Sequence, residues 1–141
     1  MTKLLRIASA FIVAPIVAAL AMMIGNAIHY GRFSFTDFKV VLLFSFLFGL
    51  AMGIPAFLVF RRLGWNQLWK YLIGGAVIGL IATYLILGIP FEFQPSVTYV
   101  WSVTLQYWEL PFGGAIGAAV FWLIAVNTPK SPADFLEMND R

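Results

Sequence analysis

Four long apolar runs constrain this chain more than any other feature. They cover residues 7–28, 40–60 and 68–89, and a fourth ends at Val126. Charge or proline bounds them: Lys3 and Arg6 precede the first, Lys39 and Arg61 flank the second, and Gly88 and Pro90 close the third. A bilayer core takes roughly 20 apolar residues in helical form, since every backbone polar group must find its partner inside the segment. Runs of this length are long for the core of a domain of 141 residues. Overall, 62% of residues are hydrophobic and 11% charged, against roughly 45–50% and about 25% in soluble domains. A small soluble fold cannot hide that much apolar surface, whereas lipid accepts it. The expected fold class is all-α: an integral membrane bundle of four transmembrane helices, forming a single domain over residues 1–141.

The start of the fourth span needs a second argument. Residues 112–126 alone are too short to cross. Extension back to Thr104 gives adequate length and brings Gln106, Glu109 and Pro111 into the helix. An internal similarity supports this register. Phe48-Gly49-Leu50-Ala51-Met52-Gly53 with Phe57 matches Phe112-Gly113-Gly114-Ala115-Ile116-Gly117 with Phe121, at an offset of 64 residues. The same offset lays residues 7–28 over 71–92, pairing Val13 with Val77 and Ala18 with Ala82. Two origins stay open: a duplication into two parallel helical hairpins, or coincidence among residues common in membrane helices. The expected spans are 7–28, 40–60, 68–89 and 104–126, with an external loop at 90–103 and a cytoplasmic tail at 127–141.

Basic residues set the expected orientation. With the N-terminus inside, Lys3, Arg6, Arg61, Arg62, Lys70, Lys130 and Arg141 are cytoplasmic, and only Arg32 and Lys39 are external. Lys and Arg are retained on the cytoplasmic side, so both termini are expected inside. Compactness and short loops point to a bacterial inner (plasma) membrane. Trp65, Trp69 and Tyr71 mark the inner interface, and Tyr30, Tyr99, Trp101, Tyr107 and Trp108 the outer one. The first run resembles a secretory signal, with Ala19-Leu20-Ala21 as a cleavage site, but its length favours retention as a span. In the external segment Glu92 is the one charge, and Val97-Thr98-Tyr99-Val100-Trp101 suits either the interface or a cover over the bundle mouth. Ser131-Pro132-Ala133-Asp134 in the tail has the form of a helix start.

Small residues recur at helical spacing. Gly49 and Gly53, Gly75 and Gly79, and Gly113 and Gly117 each make a GxxxG, and Ala10, Ala14 and Ala18 repeat the interval in the first span. Residues four apart share one helix face, where missing side chains let backbones approach and dispersion contacts accumulate. The spacing fits packing within the chain or between copies. Pro15 and Pro55 are expected to bend their helices.

Glu109 is the sharpest chemical feature. An acid within a span must be paired, hydrated or protonated. There it can couple proton binding to movement or hold a cationic substrate, with Gln106, Tyr107, Asn26 and His29 as polar neighbours near the outer ends. The alternative places Glu109 at headgroup depth before Pro111. Arg61, Arg62, Trp65, Trp69 and Lys70 form an inner turn suited to anionic lipid headgroups or to topology and snorkelling alone.

Much chemistry is excluded. The absence of cysteine removes disulfides and thiolate sites. One histidine leaves no His-rich metal site, and no phosphate loop, nucleophile elbow or metalloprotease helix is present. Asp37, Glu92 and Glu109 fall toward the outer side without catalytic spacing. No basic stripe suits nucleic acid. No enzyme activity, cofactor or metal is therefore expected. The expected role is binding another membrane component beyond the surrounding lipids, as an accessory subunit, an immunity-type protein or a homo-oligomer. The rival is a small oligomeric channel or proton-coupled transporter that uses Glu109.

Overall fold

A computed structural model describes residues 3–31, 34–87 and 97–127, and all its regular elements are helical. They are α1 (Lys3–Tyr30), α2 (Phe35–Ala51), α3 (Gly53–Arg62), α4 (Leu68–Leu87), α5 (Val97–Gln106) and α6 (Glu109–Phe121), with α6 running into a π-helical segment at Trp122–Val126. Four stretches are long and apolar enough to cross a membrane: Leu4–Tyr30, Phe35–Arg62, Leu68–Leu85 and Glu109–Val126. These properties are compatible with a multi-pass membrane protein.

Prolines explain where the helices hesitate. Pro55 has no N–H to give the Ala51 carbonyl, its partner four residues earlier. The chain leaves regular helix at Met52, the next residue, with φ −106° and ψ −33°. Backbone bonds from Met52 N to Phe48 O and from Ala56 N to Met52 O carry α2 into α3 across that one residue. Pro111 likewise leaves the Tyr107 carbonyl without its helical donor, and turn residues Tyr107 and Trp108 separate α5 from α6. The Leu110 amide serves that carbonyl at 3.1 Å instead. The fourth long helix therefore begins at Glu109, five residues later than the Thr104 start expected from the internal similarity. Gln106 lies outside it, at the end of α5. Pro15, by contrast, lies buried within an unbroken α1.

Helix ends are locally encoded. Ser34 caps α2 by accepting from the Asp37 amide, at 3.4 Å. After α3, Gly64 has φ +66°. Its amide bonds to Arg61 O and the Trp65 amide to Phe60 O, the paired pattern of a Schellman motif. The Phe60 and Trp65 rings, 5.2 Å apart, supply the accompanying apolar contact. Across the same end of the fold, Trp122 Nε1 donates to Asn66 O at 2.7 Å, tying the π-helical segment to the turn before α4.

The long helices pack in the order α4, α6, α1, α2. The α4–α6 contact is tightest: a methyl group added at Gly75 would collide with the Gly114 carbonyl, and one at Gly114 with the Gly75 carbonyl. A methyl at Gly79 would lie 2.7 Å from both Leu110 O and Pro111 Cα. On the α1 side of α6, Gly113 faces Met22 and Ala18, and Gly117 faces Ala18 and Ala14. Ala10, Ala14 and Ala18 are all buried. Gly49 and Gly53 also face α1, more loosely, at Pro15 and Phe11. The packing thus does not repeat with the sequence. Gly49 meets the preceding helix of its own hairpin, whereas its counterpart Gly113 meets α1 and leaves the contact with α4 to Gly114.

Arg32, Glu92, Lys130, Arg141 and the Ser131–Asp134 helix start lie outside the described residues. Of the segment 90–103, the part from Val97 onward forms most of α5, which makes at most marginal contact with the long helices.

Candidate membrane-ligand site

The packing order leaves α2–α3 and α4 apart along most of their length. They meet only near the turn that joins them, and no residue of α2 or α3 is buried. Between them runs a groove of about 340 Å³ floored by α1 and α6. Phe44, Phe48 and Phe57 line one wall, Gly75, Ile78 and Gly79 the other, and Ser45 is one of its few polar members. At 1.5 Å per residue, the α4 wall from Tyr71 to Ala82 is about 16 Å long.

Aromatic rings close one end. Phe11 meets Phe121 at 4.8 Å, Phe57 meets Phe121 at 5.2 Å, and Phe60 meets Tyr71 at 5.0 Å, all edge to face. Four helices contribute to this plug, and edge-to-face pairs add about 0.5–1.5 kcal/mol each beyond burial. Phe57 and Phe121 are the last residues of the two matched sequence motifs.

The other end is polar. A second cavity, of about 310 Å³, is lined by Asn26, Tyr30, Asp37, Tyr107 and Glu109 together with Met22, Met23, Val41 and Leu110. It shares Met22, Val41, Tyr107 and Leu110 with the groove, so the two adjoin. Glu109 opens α6, where the helix dipole favours a negative group. Its side chain is only 6% exposed, and Oε2 is buried with no hydrogen-bond partner among the described residues. Gly25 makes the space: a methyl there would stand 3.0 Å from Glu109 Cβ. A buried acceptor left unmatched costs on the order of 1–3 kcal/mol, more when charged, and Glu109 is also one of the residues that line the cavity.

Of the polar neighbours expected from sequence, Asn26 and Tyr107 share this cavity with Glu109, and Gln106 and His29 do not. Gln106 is exposed at the end of α5, and His29 is exposed with its ring 4.5 Å from that of Tyr30. Asp37, Tyr30 and Gly25 join the site without having been singled out for it. Asp37 carried a signal, as an acid within a few residues of the end of an apolar run; Gly25 carried none, because spacing does not tell which helix a glycine faces.

The basic turn lies at the plugged end. Arg61 and Arg62 are exposed. Lys70 Nζ stands 4.9 Å from the Trp65 ring centroid and 5.5 Å from that of Trp69, a cation–π arrangement. Trp69 Nε1 donates to Gln67 Oε1 at 3.0 Å. Comparison with protein-family models, curated proteins and solved structures finds no match to this chain.

Proposed function

We propose that this chain is a non-enzymatic membrane protein that works by holding another membrane component in the groove between α2–α3 and α4. In this reading the four long helices form a transmembrane bundle in a bacterial-type inner membrane, with both termini cytoplasmic. Arg6, Arg61, Arg62 and Lys70 then face the cytoplasm, and Lys39 the outside. The plugged end of the groove is cytoplasmic and the acidic cavity lies toward the outer face. The observation that carries the reading is the groove itself: apolar, open along the α2–α4 gap, and left unfilled by the side chains of the described residues. An accessory or immunity-type role follows if the component held is part of a larger assembly.

Photo-crosslinking tests this. A photoreactive residue at Ser45, inside the groove, is expected to capture a defined component in native membranes that the same residue at Leu43, 68% exposed on the same helix, does not. Matching adduct profiles at the two positions would sink the reading.

The buried, unpartnered Glu109 oxygen supports a second reading, a small channel or proton-coupled transporter. Flux through liposomes carrying the native chain, lost in Glu109→Gln, would favour it. Flux unaffected by that change would remove Glu109 from the pathway.

A further inference from the structure

We infer that the groove and the acidic cavity form one site for a cationic amphiphile, with a single alkyl chain along the groove and an ammonium-type headgroup at Glu109 and Asp37. The inference deepens the proposed function and rests on it, by naming the class of component held. Three independent features converge. The groove is apolar and runs about 16 Å along its α4 wall. It adjoins the polar cavity through Met22, Val41, Tyr107 and Leu110. The cavity presents two carboxylates and, among the described residues, no Lys or Arg in its lining.

The headgroup end determines selectivity. A chain moving from lipid into the groove leaves one apolar environment for another, so it gains little from the transfer. A cation beside Glu109 gains a charge partner at a buried site, where Coulomb interactions are weakly screened. No donor among the described residues serves Glu109 Oε2, so the cation meets no competing hydrogen-bond donor there. Tyr30, Tyr107 and Asn26 also line the cavity, residue types that favour an alkylammonium through aromatic and amide groups. Asp37, exposed in the first turn of α2, adds charge at the rim. An anionic headgroup would meet both carboxylates and is disfavoured.

The test uses the full chain in phosphatidylcholine nanodiscs, titrated calorimetrically with dodecyltrimethylammonium, uncharged dodecyl maltoside or chainless tetramethylammonium, with empty nanodiscs as the partition blank. Saturable binding of dodecyltrimethylammonium is expected, at least tenfold tighter than that of the maltoside and of tetramethylammonium. Glu109→Gln should erase most of the preference over the maltoside, and Asp37→Asn a smaller part. Far-ultraviolet circular dichroism and the unfolding midpoint of both variants, expected to match the parent, report that they remain folded. Equal binding of the two chains, or a preference that survives both substitutions, overturns the inference and leaves the broader reading standing. Tetramethylammonium binding as tightly as the long-chain cation also overturns it, as a site for a free cation. Absence of saturable binding by either chain overturns the inference; the broader reading then falls only if Ser45 and Leu43 also give matching adducts.

Discussion

Gly75 and Gly114 each occupy a place where the other helix's backbone leaves no room for a side chain. Backbone cannot yield as a side-chain tip can, so Gly75→Ala is expected to destabilise the fold by about 1–3 kcal/mol through overpacking. Gly53 differs: an added methyl would meet only Phe11, at an ordinary 3.7 Å. Gly53→Ala should therefore stay within about 0.5 kcal/mol of the parent, since the usual glycine penalty in helices favours alanine. Unfolding of the two variants in mixed detergent micelles separates these cases, and equal midpoints would contradict the packing described. The sequence marked Gly75 and Gly53 alike by spacing and did not mark Gly114 as a contact residue. Spacing says which residues share a face; it carries no information on how close the neighbouring helix comes. Glu109 was legible for another reason, as an acid beside an apolar run. Its sharing of a cavity with Asp37 was not, because that depends on how α2 sits against α6.

At the scale of elements, proline and glycine chemistry accounts for most boundaries. The α3 end depends on a left-handed residue at Gly64, where an L side chain costs about 1–2 kcal/mol. Gly64→Ala is expected to lower stability by that amount and to loosen the Trp65–Phe60 contact, visible as a shift in tryptophan emission. An unchanged unfolding midpoint would show that the turn does not need this conformation. The later start of the fourth helix was also legible, since a proline at 111 removes the donor for Tyr107. The internal similarity points instead to Thr104, which is in α5, on the far side of the break. The aromatic plug could not be read from sequence, because Phe11, Phe57, Phe60, Tyr71 and Phe121 come from four helices and no single period relates them.

For the whole molecule, composition alone pointed to a membrane protein, and four helices of suitable length and hydropathy follow from it. Their order across the fold did not. The two-hairpin pattern suggested equivalent pairs, whereas the tight glycine faces put α6 between α4 and α1 and leave α2–α3 standing off from α4. The groove is the consequence of that asymmetry. The proposed orientation can be tested directly, because the chain contains no cysteine. A membrane-impermeant thiol reagent should label Thr36→Cys from the outside of intact cells and Gln67→Cys only in inverted vesicles; the reverse pattern would place the acidic cavity on the cytoplasmic side. The most direct measurement of the central claim is native mass spectrometry of the chain released from its own membranes. The parent and Leu43→Phe, altered on the outer surface of α2, are expected to carry a bound component of the same mass, and Ser45→Phe, which fills the groove, to fly bare. A bare parent, or a component retained equally by Ser45→Phe, would contradict the assignment of the groove as the site where this protein works.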